Sequence, residues 1–132
     1  MKIVYNRILP WQGFSCINLF GILFVRKGCV LDERVLNHER IHTAQAKVCG
    51  SWVKFYLFYL WEWLRIGFMS PLKANYYTSK YESEAYANED DYDYCDGYDG
   101  SNLSKYVFKN RKKLYKDVGR SAAAWKRYVK SL

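Results

Sequence analysis

Leu31-Asp32-Glu33-Arg34-Val35-Leu36-Asn37-His38-Glu39-Arg40-Ile41-His42-Thr43-Ala44-Gln45-Ala46-Lys47-Val48-Cys49 is the stretch that decides how this chain is read. It holds no Pro or Gly, and Leu31, Val35, Ile41, Ala44 and Val48 recur at helical spacing. Asp32 and Glu33 put negative charge where a helix N-terminus favours it, and Gly50 is a natural stop. The stretch predicts a helix that ends at Cys49. His38 and His42 are four residues apart on it, hence one turn apart on one face. They are also the only two histidines in the protein.

Two imidazoles aimed at a common point suit a tetrahedral Zn²⁺, whose nitrogen ligands stand about 2.0–2.1 Å away. Glu39 flanks that face. From there a carboxylate reaches a metal-activated water without taking a ligand position, and can serve as general base. Two ligands do not complete such a site; a third is needed, with one position left open. Cys49 lies two turns beyond His42 on the same helix, and the acidic candidates fall in Tyr81-Glu82-Ser83-Glu84-Ala85-Tyr86-Ala87-Asn88-Glu89. Glu84 projects about 200° round a helix from Glu82, so only one of the two can face a metal. Glu89 follows Glu82 by two turns, shares its face and could orient ligands. Ser79-Lys80-Tyr81-Glu82 also fits a capping box, in which Glu82 folds back onto its own helix and is structural. Gln45, nearly on the face of His42, fits either a hydrogen bond to the site or substrate, or a solvated helix position.

The pattern His38-Glu39-Arg40-Ile41-His42, followed some forty residues later by Glu82-Ser83-Glu84-Ala85-Tyr86, resembles the gluzincin group of zinc peptidases. With the aromatic segment 55–64 it is similar to small bacterial metallopeptidases described as minimal gluzincins. The resemblance covers about residues 31–95 and, more weakly, Trp125-Lys126-Arg127-Tyr128. It implies a zincin-like fold and a Zn²⁺ cofactor. It implies His38, His42 and Glu82 as metal ligands and Glu39 as the catalytic base. Related families often hold Asp at the last position of Glu-x-x-Ala-x, where it orients a ligand histidine; this chain has Tyr86, whose hydroxyl would have to take that part.

The flanking sequence sets the fold class. Residues 3–9 and 14–26 read as extended, joined by a turn at Pro10-Trp11-Gln12-Gly13, and predict a small antiparallel sheet of two or three strands. Ser51 caps a second helix over about 52–69, ending before Pro71. This helix is apolar almost all round, which fits a helix buried in a core, one lying against a membrane or partner, or a short span. A third helix is predicted over about 79–94, a loop over 96–102, and a last helix, or two broken near Gly119, over about 103–130.

A length of 132 residues, half of them hydrophobic and 19% aromatic, fits one domain over 1–132 and excludes a disordered chain. The net charge of +8 is local: residues 105–132 hold 10 Lys/Arg and one acid, Asp117, whereas residues 1–104 hold 11 Lys/Arg and 12 Asp/Glu. Lys109, Arg111, Lys112, Lys113, Lys116 and Arg120 interleave with Tyr106, Phe108, Tyr115, Trp125 and Tyr128. That fits a solvated helix with its aromatic face on the core, or contact with an anionic membrane surface. No nucleic-acid-binding motif accompanies the run, so no specific nucleic acid is expected. The start of the chain lacks the features of a signal peptide, so an intracellular, cytoplasmic protein is expected, with membrane association left open. Cys16, Cys29, Cys49 and Cys95 form no Cys-x-x-Cys pair and read as free thiols, a Cys16–Cys29 bridge being the one conceivable pairing.

The expectation is an α+β, zincin-like domain with a short antiparallel sheet packed on the His38–His42 helix. The expected function is hydrolysis of peptide or protein substrates; the alternative is an inactive zincin-like module that binds a partner or a membrane surface.

Overall fold

Ile22-Leu23-Phe24-Val25-Arg26 is the strand with most to bury. In the computed structural model, which describes residues 2–10, 14–69 and 71–132, it takes the centre of a three-stranded sheet. Leu23 and Val25 are fully buried. The order is β1 (Lys2–Asn6), β3 (Ile22–Arg26), β2 (Cys16–Leu19). The extended run 14–26 is not one strand: Phe20 and Gly21, both at positive φ, turn it back into the hairpin β2–β3. The sheet is mixed, not antiparallel throughout. β2 pairs antiparallel with β3, whereas β1 pairs parallel with it, Lys2 opposite Ile22 and Asn6 opposite Arg26. A central strand needs a partner on each side, and β1 fills the edge that the hairpin leaves free. Asn6 ends β1, its Oδ1 accepting from the backbone N–H of Ile8 and Leu9. Of the turn expected at 10–13, Trp11, Gln12 and Gly13 lie outside the described residues. All four cysteines are free thiols.

The helices follow local signals at their starts and long-range ones at their ends. α1 (Glu33–Cys49) begins at Asp32, whose Oδ1 accepts from Val35 N at 2.8 Å, and stops at Gly50 in the left-handed region. α2 (Trp52–Leu64) begins at Ser51 as expected, but ends five residues short of 69. The cause is Asn75, fully buried: its Nδ2 donates to Gly67 O at 2.9 Å and Trp63 O at 3.3 Å, and its Oδ1 accepts from Met69 N at 2.7 Å. Asn75 belongs to a short helix the sequence reading missed, α3 (Lys73–Tyr77). α4 (Lys80–Asn88) likewise stops before Tyr94. Asn37 of α1 donates to Glu89 O and Asp91 O, both at 2.9 Å, and holds the chain in a turn there. A short 3-10 helix (Ser101–Tyr106) straddles the end of the predicted loop and the start of the predicted last helix. The last segment is two helices, α5 (Arg111–Val118) and α6 (Ala122–Lys130), parted at Gly119.

α1 packs against α2 and α4, and α4 against α6. Ala46, Phe55 and Tyr81 join the first three of these helices. A second core of Met69, Ala74, Tyr77, Tyr115, Trp125 and Val129 joins α3, α5 and α6, and Trp125 Nε1 donates to Ser83 Oγ of α4 at 3.1 Å. The aromatic side of the basic segment is therefore core. One of its cations is also interior: Arg111, 1% exposed, gives Nη1 to Glu62 Oε1 at 2.8 Å and to Glu62 O at 3.2 Å. Arg65 shares the same carboxylate from the rim. Removing Arg111 takes away the buried partner of Glu62 and leaves Arg65 to hold the carboxylate from the rim. Arg111→Ala is expected to cost about 3–5 kcal/mol in urea unfolding, and Lys113→Ala, which breaks only the exposed pair with Asp117, less than about 1 kcal/mol.

Candidate metal centre

α1 and α4 lie side by side with His38, His42 and Glu82 turned toward each other, all three buried. Three contacts close the group. His38 Nε2 is 3.1 Å from Glu82 Oε2, His42 Nε2 is 3.1 Å from Glu82 Oε1, and the two Nε2 atoms are 3.1 Å apart. In a tetrahedral site with bonds of about 2.0–2.1 Å, neighbouring ligand atoms stand about 3.3 Å apart, so this spacing fits one small ion held by all three.

The hydrogen bonds behind the imidazoles decide what they present. Gln45 Nε2 donates to Tyr81 O and Glu84 Oε1, both at 3.0 Å, so its Oε1 is left to face His42 Nδ1 at 2.8 Å. An oxygen there requires a proton on Nδ1, which frees the Nε2 lone pair. His38 Nδ1 meets Glu89 Oε2 at 3.1 Å, with the same consequence. Glu89 is in turn held by Lys130 of α6, at 3.0 Å. Two lone pairs and a carboxylate thus converge on one point, an arrangement that requires a cation: a metal ion, or protons in its place. The buried group can hold a metal ion.

Without a metal, protons fill the role. Burial works against charge on His38, yet the carboxylates of Glu82 and Glu89 outweigh it and hold the imidazole up at about 10. His42 is raised too, burial being outweighed chiefly by Glu82. Burial pushes Glu82 up, but the two imidazoles win and hold it well below the usual carboxylate range. In the metal-free protein the His38 contribution to stability is full below about pH 6.5, the ordinary histidine value, and is lost as pH rises through about 10. At pH 7.5 a metal must displace these protons. Calorimetric titration with Zn²⁺ in buffers of different ionisation enthalpy is expected to show about one to two protons released per ion.

Glu82 does not close the capping box. Ser79 Oγ accepts from Glu82 N at 3.3 Å, but the Glu82 carboxylate turns to the histidines and takes a hydrogen bond from Tyr59 OH at 2.8 Å. Glu84 points away, fully buried, its Oε1 bound by Gln45 and the Tyr98 hydroxyl. Cys49 stands beside Tyr81, outside the group. Tyr86 lays its ring against His38, centroids 4.6 Å apart, and packs the ligand face without giving it a hydroxyl. The sequence reading missed the two tyrosines around Glu82. Tyr59 and Tyr76 both keep their protons, because burial and then the Glu82 charge hold each well above the usual phenol value. Tyr59 lies one turn beyond Phe55 in the aromatic segment, but nothing local marks it as a partner of Glu82.

Glu39, His42 and Glu82 line one side of a cavity of about 520 Å³. Its other walls are aromatic and aliphatic: Trp52, Phe55, Tyr56 and Trp63 of α2, Tyr76 of α3, and Cys16 to Leu19 of β2. Asn18 Nδ2 fixes β2 to α1 by donating to Glu39 O at 3.3 Å and Thr43 Oγ1 at 3.1 Å. Burial raises the Glu39 carboxyl, with His42 and His38 pulling partly the other way. Comparison with protein-family models, with curated proteins and with solved structures finds no match to the chain.

Proposed function

We propose that this chain is a zinc-dependent peptidase of gluzincin type on a zincin-like fold, with His38, His42 and Glu82 as metal ligands and Glu39 as general base. The observation that carries the proposal is the set of three acceptors from two helices, tautomers locked from behind, of which His42 and Glu82 line a cavity that Glu39 shares. A zinc ion bound there would act as Lewis acid on a carbonyl and lower the pKa of water toward neutrality. The chain's own residues supply the remainder. Glu39, half-buried and raised in basicity by desolvation, takes a proton during attack on the carbonyl and passes it to the leaving amine. Tyr76, on the cavity wall with its hydroxyl proton retained, would donate to the oxygen on which charge develops. β2 is an edge strand along the cavity, and an extended peptide can pair with it by backbone hydrogen bonds.

The test is metal dependence. Protein purified without chelator should carry about one zinc per chain and cleave members of a blocked-peptide library. Chelation should abolish cleavage and added zinc restore it; cleavage that survives chelation and dialysis would overturn the proposal. One observation favours a second reading: with protons in place of metal, the His38–Glu82–His42 group is internally paired and still ties α1 to α4. A non-catalytic module needs no more than that, and would show no cleavage, its site metal-free or blocked.

A further inference from the structure

α2 carries two apolar stripes, and only one of them faces the protein. Trp52, Phe55, Tyr56, Tyr59 and Trp63 line the cavity. Shifted from these by one position, Val53, Leu57, Leu60, Trp61 and Leu64 recur at helical spacing and are 51% to 63% exposed. Phe68 and Leu72 continue the exposed apolar surface beyond the end of the helix. Of the thirteen residues of α2 only Phe55 and Glu62 are buried, so of the three readings of this helix the fully buried one does not hold. A spanning helix is excluded as well: no helix among the described residues is long and apolar enough to cross a membrane.

The charge around this surface has one sign. Between Gly50 and Tyr81 the only acid is Glu62, which is buried and neutralised by Arg65 and Arg111. The unpaired exposed charges there are cations: Lys54 on α2 and Lys73 at the cavity rim. Lys112 of α5 brings its Nζ against Gly67, next to Phe68. An exposed stripe of Leu, Val and Trp flanked by Lys is the pattern of a helix lying in the plane of an anionic lipid surface. A second copy of the chain would set two such cationic rims face to face, each on a protein of net charge +8.

We propose that the face formed by Val53, Leu57, Leu60, Trp61 and Leu64 docks on an anionic lipid surface. The docked stripe and the cavity-lining stripe share one helix, whose diameter with side chains is about 10–12 Å, so docking brings the cavity close to that surface. Resting on the peptidase reading, this makes peptide segments lying at the bilayer surface the substrate class.

The docking itself is read without any hydrolysis, on the full-length Glu39→Gln protein. Vesicles of phosphatidylcholine with about 30% phosphatidylglycerol should bind it, pure phosphatidylcholine vesicles much less, and the binding should weaken from about 0.1 M to 1 M salt. Lipids brominated near the glycerol end of the chains should quench tryptophan fluorescence, and Trp61→Phe should lose most of that quenching. Leu57→Gln with Leu60→Gln and Trp61→Gln touches neither core nor cavity, and should cut vesicle affinity by at least about tenfold while melting temperature and zinc content hold. No binding to anionic vesicles, or quenching unchanged in Trp61→Phe, overturns the proposal. So does dimerisation that the triple variant abolishes in a protein that ignores vesicles, which would give this face to a second copy. Failure of the peptidase reading leaves these outcomes unaffected.

Discussion

Protein carrying both His38→Ala and His42→Ala is expected to lose its zinc. Structural zinc sites with four ligands bind with about 10–16 kcal/mol, so each ligand is worth roughly 3 kcal/mol, or about a hundredfold in affinity. Removing two of three ligands lowers affinity by about 10⁴-fold or more on that scale, and elemental analysis after gel filtration should find the protein empty. The double variant also leaves buried Glu82 without its cationic partners, with the Tyr59 and Tyr76 hydroxyls beside it, so folding has to be checked by circular dichroism. Glu82→Gln provides the cleaner measurement. Gln still accepts from Tyr59 and leaves the Ser79 cap intact, but it removes the anionic ligand, and zinc affinity should fall about a hundredfold. Glu84→Gln should leave zinc bound, since Glu84 touches Gln45 and Tyr98 and not the histidines. Full zinc in the double variant, or a larger loss from Glu84→Gln than from Glu82→Gln, would overturn the ligand assignment.

What could be read from the residues divides by the range of the interaction that decides each feature. The starts of α1, α2 and α4 depend on Asp32, Ser51 and Ser79 binding an N–H three residues on, and such caps are written locally. The ends of α2 and α4 depend on Asn75 and Asn37, buried side chains that take carbonyls from eight to 54 residues away, and no local pattern announces that. The sheet divides in the same way. Alternation and glycines mark extended chain at both β1 and the hairpin, but the parallel pairing of β1 with β3 is settled by which edge the hairpin leaves open. At the site, the helical spacing of His38 and His42 and the i+7 relation of Glu82 to Glu89 survive into the structure unchanged, because helix geometry alone sets them. The choice of Glu82 over Glu84 facing the histidines needed the packing of α4 on α1. The locking of His42 by Gln45 needed Glu84 and the Tyr81 carbonyl to orient the amide. α2 shows the opposite failure. Composition left a buried helix, a membrane- or partner-facing helix and a short span all open, and the structure shows one apolar stripe lining a cavity and another facing outward, since a small domain has too little chain to cover both.

Glu39→Gln is expected to keep its zinc and its fold and to lose cleavage of a responsive peptide by about 10²- to 10⁴-fold, the scale of a lost acid–base group. Glu39 lies on the cavity wall, outside the His38–His42–Glu82 group, so removing its charge takes no ligand away. Asn18 holds the Glu39 main-chain carbonyl, which the substitution leaves in place. The pH profile provides an independent check. Burial raises the Glu39 carboxyl, and a general base works only when deprotonated. Activity of the wild type should therefore fall as pH drops through a value above the ordinary glutamate range of about 4.3, whereas the residual activity of Glu39→Gln should lack that limb. The loss should appear in kcat more than in KM, because on the proposed reading Glu39 would act as the proton moves and the apolar walls would bind the peptide in both proteins. Equal cleavage by wild type and Glu39→Gln, with zinc present in both, would mean that the activity comes from a contaminant, and the assignment of Glu39 as base would fall with it.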